Sequence, residues 1–291
     1  MTFSVVAFDP ANGDLGVAVQ SKFPNVGISI PFAKAGVGAV ATQSYCNTSF
    51  GPRGLALLEN GASPEQALAI LIDGDPQRDD RQVGIIDARG RTANFTGANC
   101  FGWAGAAQGR NCSAQGNTLT GPQVVSEMVR AFEETGGTLA ERLLAALHAG
   151  QAGGGDRRGQ QSAALVVKRA GGGYGGFDDR YVEVSVCDHP TPISELARLY
   201  AIHRLTYLTS DPDRLVQIDP AIAGELQGIL HARGFYQGPV NGQCDAELLR
   251  RLHDFMGWEN YDARIRDDDR IDLEVLEDIR RKHERFLGAG T

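Results

Sequence analysis

Threonine is the second residue of the chain, in MTFSVVAFDP, and an apolar strand begins directly behind it. Removal of Met1 would leave that threonine with a free α-amine. An N-terminal Thr can use its own amine as general base for its hydroxyl, because an α-amine with a pKa of about 7.7–8.0 titrates near working pH. A cation beside the amine would lower that pKa and orient the hydroxyl. The chain has four lysines, Lys22, Lys34, Lys168 and Lys282, against 24 arginines. Lys22, closing the second strand-like run, and Lys34 are the candidates, and neighbouring Ser21 joins them as a substrate-binding candidate.

Two further stretches carry polar groups at strand ends. In AQGNTLTGP, Asn117 precedes a helix start whose backbone N–H groups, like the Asn amide, can donate to an oxyanion. In GGGDRRGQQSAALVV, glycines lead into Asp156, Arg157 and Arg158, and a strand opens at Ser162. Charged loops on rigid sheets are common binding walls, so Asp156, Arg157 and Ser162 are candidates to line a substrate site. The plain alternative is a solvated loop with an Asp–Arg pair.

Several other chemistries are not supported. The five cysteines are scattered without a CxxC or Cys/His cluster, and no HExxH occurs, so neither a disulfide framework nor a metal site is expected. GVGAVA matches the spacing of a dinucleotide loop, but a strand-like stretch follows it where a helix is required. No cofactor is therefore expected. A net charge of −8 disfavours nucleic acid, and no apolar run reaches the ~18 residues of a membrane span. Without a signal-peptide pattern, a cytoplasmic location is the expectation.

The elements that must hold these residues are legible in outline. Asn12-Gly13 between two apolar runs reads as a hairpin turn. Strand-like runs recur at Val37–Ser44, Gln82–Asp87, Thr92–Thr96, Cys112–Gly116, Ser162–Lys168 and Tyr181–Cys187. Ser63-Pro64-Glu65-Gln66 and Thr138–Glu141 are capping boxes, and Val124, Val125, Met128, Val129 and Phe132 form a helical stripe. Several strands are apolar on both faces, which predicts sheets covered on both sides. Near residue 200 the charged fraction rises and the pattern becomes helical throughout, with stripes at Leu226–Leu230, Leu248–Phe255 and Leu273–Ile279.

TFSVVAFDPANGDLGVAVQSKFPNVG, GVGAVATQ, GPRGLALL, RQVGIIDARG, QGN and GGDRRGQQSAAL together resemble an uncharacterised bacterial family of the N-terminal nucleophile (Ntn) hydrolase superfamily, over roughly residues 2–190. The resemblance implies an α+β fold, a four-layer αββα sandwich, with amide-bond hydrolysis by Thr2; it does not supply the substrate, and a small amide-containing molecule is the expected partner. LQGILHARGFYQGPVNGQCDAELLRRLHDF resembles a peptidoglycan-binding-like helical domain. The expected organisation is an Ntn-hydrolase-like domain over 1–190, a helical connector over 191–214, and an all-α three-helix bundle over 215–291. An acidic bundle is expected to serve assembly, including a homo-oligomer, more than peptidoglycan. A catalytically silent ligand- or partner-binding protein and a cell-wall-associated binding protein are the alternatives.

Overall fold

The chain starts its regular structure at once. Strand β1 (Thr2–Asp9) turns through Asn12-Gly13 into β2 (Asp14–Ser21). Gly13 takes the left-handed φ of 80° that the turn requires, and Asn12 Oδ1 accepts from the Asp14 amide. Arg169 grips the Asp14 carboxylate with two 2.7 Å hydrogen bonds, fastening that end of the hairpin. The structure is a computed structural model and describes residues 2–289; Met1, and with it the expected site of processing, lies outside the described residues.

Two antiparallel sheets follow. One has four strands in the order β3 (Pro31–Lys34), β4 (Gly38–Ser44), β5 (Arg81–Asp87), β6 (Thr92–Thr96). The other has six. Its order is β10 (Arg180–Val186), β9 (Ser162–Lys168), β2, β1, β8 (Cys112–Leu119), β7 (Trp103–Gly109). Alternation along β1 divides its side chains cleanly. Phe3, Val5 and Ala7 meet helices α3 (Gln123–Glu134) and α4 (Leu139–Ala152), whereas Val6 joins Val17, Val19, Ala39 and Ala41 between the sheets. Helices α1 (Phe50–Glu59) and α2 (Pro64–Asp73) cover the outer face of the smaller sheet through Phe50, Leu68 and Leu71. The first unit therefore stacks helices, sheet, sheet, helices.

Both capping boxes form: Ser63 and Gln66, like Thr138 and Glu141, exchange side-chain and backbone hydrogen bonds. Helix α1 approaches the sheet closely enough that a Cβ on Gly51 would sit 2.2 Å from the Phe32 ring, so only glycine fits there.

The chain divides into units at Tyr200/Ala201, within α5 (Pro192–Tyr207). The second unit packs α6 (Pro220–Ala232), α7 (Ala246–Trp258) and α8 (Leu273–Ala289) around Leu226, Leu230, Leu252, Phe255 and Leu276. It is not purely helical, contrary to the sequence expectation. Leu215–Gln217 (β11) and Arg270–Asp272 (β12) pair as an antiparallel ribbon. Three-residue strands are too short to register as an alternating pattern. Buried Arg264 sits beside the ribbon, paired with Asp272 at 2.6 Å and Glu274 at 3.1 Å.

Candidate functional site

The strand registers assemble a row of short polar side chains at one end of the six-stranded sheet. Thr2 pairs with Ser21, and Ser21 pairs with Ser162. On the other side Phe3 faces Gly116, so extending that register by one residue sets Asn117 opposite Thr2. Ser162, Ser21, Thr2 and Asn117 thus cross four adjacent strands, and alternation turns Thr2 and Ser21 toward the second sheet. Thr2 is 3% exposed, and its hydroxyl donates to the Ser21 hydroxyl at 3.0 Å.

Beneath the row lies a buried amide network. Gln82 Nε2 donates to the Gly116 carbonyl at 2.8 Å and to Thr96 Oγ1 at 3.0 Å. A carbonyl only accepts, so Gln82 must present its oxygen in the other direction. That oxygen receives Gln43 Nε2 at 2.8 Å and Asn117 Nδ2 at 2.9 Å. Gln43 Oε1 in turn accepts from Ser4, whose hydroxyl accepts from Gln115 Nε2, both at 2.7 Å. The directionality runs from one backbone carbonyl through five side chains, so each amide has one allowed orientation. It leaves Asn117 Oδ1 buried and without a hydrogen-bond donor among the described residues, in the row beside Thr2. One Asn117 N–H is already committed to Gln82, which makes its side chain an acceptor at least as much as an oxyanion donor.

The ammonium groups of the two candidate lysines engage other partners. Lys22 contributes its backbone N–H, which donates to Asp156 Oδ2 at 3.3 Å, while its ammonium reaches out to the Gln160 carbonyl. Lys34 pairs with Glu59 on the surface. It lies opposite Gly38, five residues along β4 from Gln43, or roughly 17 Å at 3.3 Å per residue. Strand direction is the reason: β3 carries Lys34 away from the end where β1 begins.

Asp156 is 3% exposed and does belong to this end, bridged to Leu119. Its cation is Arg158, bound through Nε at 3.1 Å and Nη2 at 2.8 Å. Arg157 is exposed, and its side chain has no hydrogen-bond or ion-pair partner among the described residues. Its backbone amide donates to Thr118 O at 3.0 Å. Ser162 turns out to hold the loop after β2, donating to Phe23 O and accepting from the Val26 amide.

Sequence reasoning missed Ser4, Gln43, Gln82 and Gln115, because isolated polar residues in strands look like solvent-facing positions. It also missed Arg81, which is 8% exposed. Arg81 binds Asp75 at 2.9 Å and the Tyr45 carbonyl at 2.6 Å, and it holds the Asp75 carboxyl down at about 2. Backbone strain marks this end as well. Asn25 (φ 50°), Ser44 (φ 70°) and Thr118 (φ 55°) are left-handed without being glycine, an arrangement that costs about 1–3 kcal/mol per residue and gathers at functional sites.

No group of three or more His, Cys, Asp or Glu side chains could hold a metal ion among the described residues. No described helix is long and apolar enough to cross a membrane.

A mixed α+β unit with a polar row at its sheet end is the class that fold and site define. Residues 2–196 match the model of the "Family of unknown function (DUF1028)", and the chain belongs to that family. Residues 206–278 match the model described as "Putative peptidoglycan binding domain". Among solved structures, a DUF1028 protein from Silicibacter pomeroyi is similar at 31% identity and a TM-score of 0.65, over 70% of this chain and 86% of that one. No curated protein matched.

Proposed function

We propose that the first unit is an amidohydrolase of the Ntn type, its helix–sheet–sheet–helix stack being the αββα sandwich of that superfamily. Thr2 is the nucleophile once Met1 has been removed. The observation that carries this reading is the position of Thr2: it opens a central strand, between two sheets, with its hydroxyl on a second hydroxyl and a strained, polar sheet end around it. The freed α-amine takes the hydroxyl proton as Oγ1 attacks the amide carbonyl. The C–N bond then breaks, the proton passes to the leaving amine, and an ester to Thr2 remains for water to hydrolyse. With Lys22 and Lys34 turned outward, the amine acts without a lysine partner. The backbone N–H groups of Lys22 and Thr118 are engaged by Asp156 and Phe101, so the remaining N–H of the Asn117 amide is the oxyanion donor, a contribution of ~3–4 kcal/mol in such sites.

Intact mass and turnover test this together. Untagged protein should lack one methionine residue, and an N-acyl amino acid panel should be cleaved by the native protein, weakly by Thr2→Ser, and not by Thr2→Ala. Full retention of Met1 with undiminished turnover, or turnover by Thr2→Ala, overturns it. Absence of turnover combined with ligand binding would favour the silent, ligand-binding alternative, which the outward lysines support.

For the second unit we infer a role in protein assembly. Its 17 acidic against 12 basic residues from 200 to 291 favour this over attachment to a wall polymer. Pull-down of the full chain by purified sacculi at moderate salt would reverse that assignment.

A further inference from the structure

Two aromatic rings stand in solvent at the Thr2 end. Tyr45 directly follows β4, and Phe101 precedes β7 by two residues. Their centroids are 6.2 Å apart, edge to face, and they are 58% and 50% exposed. Rings on free loops would fold inward to lose that exposure. These are fixed from behind by polar anchors. The Tyr45 carbonyl is held by the buried Arg81 guanidinium, and the Phe101 carbonyl accepts from both the Thr118 amide at 2.8 Å and the Thr118 hydroxyl at 3.2 Å. The backbone is bent into left-handed geometry at Ser44, Gly102 and Thr118 to present them.

Thr118 also ties this pair to a charge. Its carbonyl accepts from the Arg157 amide, so the Phe101 and Arg157 backbones flank one residue, and that residue follows Asn117. Arg158 is consumed by Asp156, whereas Arg157 is exposed and its guanidinium is unpaired among the described residues. Next to the polar row there are thus an edge-to-face aromatic wall, an unengaged guanidinium, and the donor-less Asn117 Oδ1, which suits an amide N–H.

Resting on the amidohydrolase reading, we infer that the substrate class is an amide bearing both an aromatic or branched apolar group, seated on Tyr45 and Phe101, and a carboxylate, held by Arg157. A ring on such a wall and a carboxylate on an exposed guanidinium each contribute on the order of 1 kcal/mol, or roughly fivefold. The combination is selective where each contact alone is weak.

The test uses three probes on the full chain, read by calorimetry or by ¹⁵N shifts of the Arg157 side chain: phenylacetate (ring and charge), phenylacetamide (ring only) and acetate (charge only). Phenylacetate should bind at least fivefold more tightly than either of the others. Arg157→Gln should erase its advantage over phenylacetamide, and the Tyr45→Ser/Phe101→Ser pair its advantage over acetate. All three residues are exposed, so the core is spared. Equal binding of the three probes, or binding unaltered by these variants, overturns the inference. N-phenylacetylglycine hydrolysis separates the two claims. Turnover that depends on Thr2 but ignores Arg157, Tyr45 and Phe101 refutes only the substrate class. Selective binding without any turnover refutes only the hydrolase.

Discussion

Gln82 is the hub of the buried amide network, and replacing it with methionine isolates what that network is worth. Methionine keeps the length and much of the volume, so little cavity forms. It abolishes the bonds to Thr96 Oγ1 and the Gly116 carbonyl, and those received from Gln43 and Asn117, all at 2.8–3.0 Å. At about 1 kcal/mol net per bond, Gln82→Met should lose about 4 kcal/mol. The stranded Gln43 and Asn117 amides would raise this toward 6, because a buried group without a partner costs about 1–3 kcal/mol. In a unit of this size, each kcal/mol moves the melting temperature by about 2–4 °C, so a fall of about 8–24 °C is expected in the transition of the first unit. Calorimetry of the full chain should show that transition move while the one belonging to the second unit stays. Gln82→Glu makes a sharper contrast, since its oxygens would confront the Gly116 carbonyl: it should destabilise at least as much as methionine at neutral pH. A loss below about 1 kcal/mol in Gln82→Met, or a neutral Gln82→Glu, would refute the fixed-polarity network and with it the orientation assigned to Asn117.

Two further outcomes follow from the charged and sulfur groups. The Asp75 carboxyl is held at about 2 by Arg81, below the ordinary 3.8, so its stabilising contribution is present above the unfolded value and is lost as pH falls through the folded one. Asp75→Asn should therefore cost about 1–2 kcal/mol at pH 6, allowing for solvent screening of the pair, and only a small part of that by about pH 2, where the folded carboxyl is half protonated; an equal gap at both pH values would contradict the pairing. Burial pushes the Cys112 thiol up to about 12 while Cys187 is exposed, so iodoacetamide at pH 8 should label Cys187 readily and leave Cys112 unmodified in the folded chain, as peptide mass mapping would show.

What could be read in the chain beforehand was whatever is local. The Asn-Gly hairpin, both capping boxes and the Val124–Phe132 stripe are decided within a few residues, and they appear in the structure as read. Strand β7, WAGAAQG, escaped notice because small residues carry no alternating pattern, and helix α1, FGPRGLALLE, because its glycines and proline read as breakers. The Gly51 contact with Phe32 shows why that glycine is there: proximity to the sheet, which no local rule contains. The candidate site divides in the same way. Thr2, Ser21, Asn117 and Asp156 converge because they lie at strand ends. Lys34 was misplaced because sequence position does not say which end of a strand faces the threonine. Gln43, Gln82 and Gln115 acquire meaning only when two sheets stack.

The pairing of β1 also sets a clock. Its first neighbour, β2, is a short turn away, but its second, β8, begins at Cys112. A ribosome adding 5–20 residues per second needs about 6–24 s to reach the end of β8 after starting, and until then one edge of β1 has nothing to pair with. On the amidohydrolase reading, an exopeptidase meets an open strand during that interval and a paired strand that opens on a buried threonine afterwards. Fast translation, or a chain refolded from denaturant with its methionine in place, would close the strand ahead of the peptidase. The trimming which that reading requires is thereby tied to the pace of the chain's own synthesis.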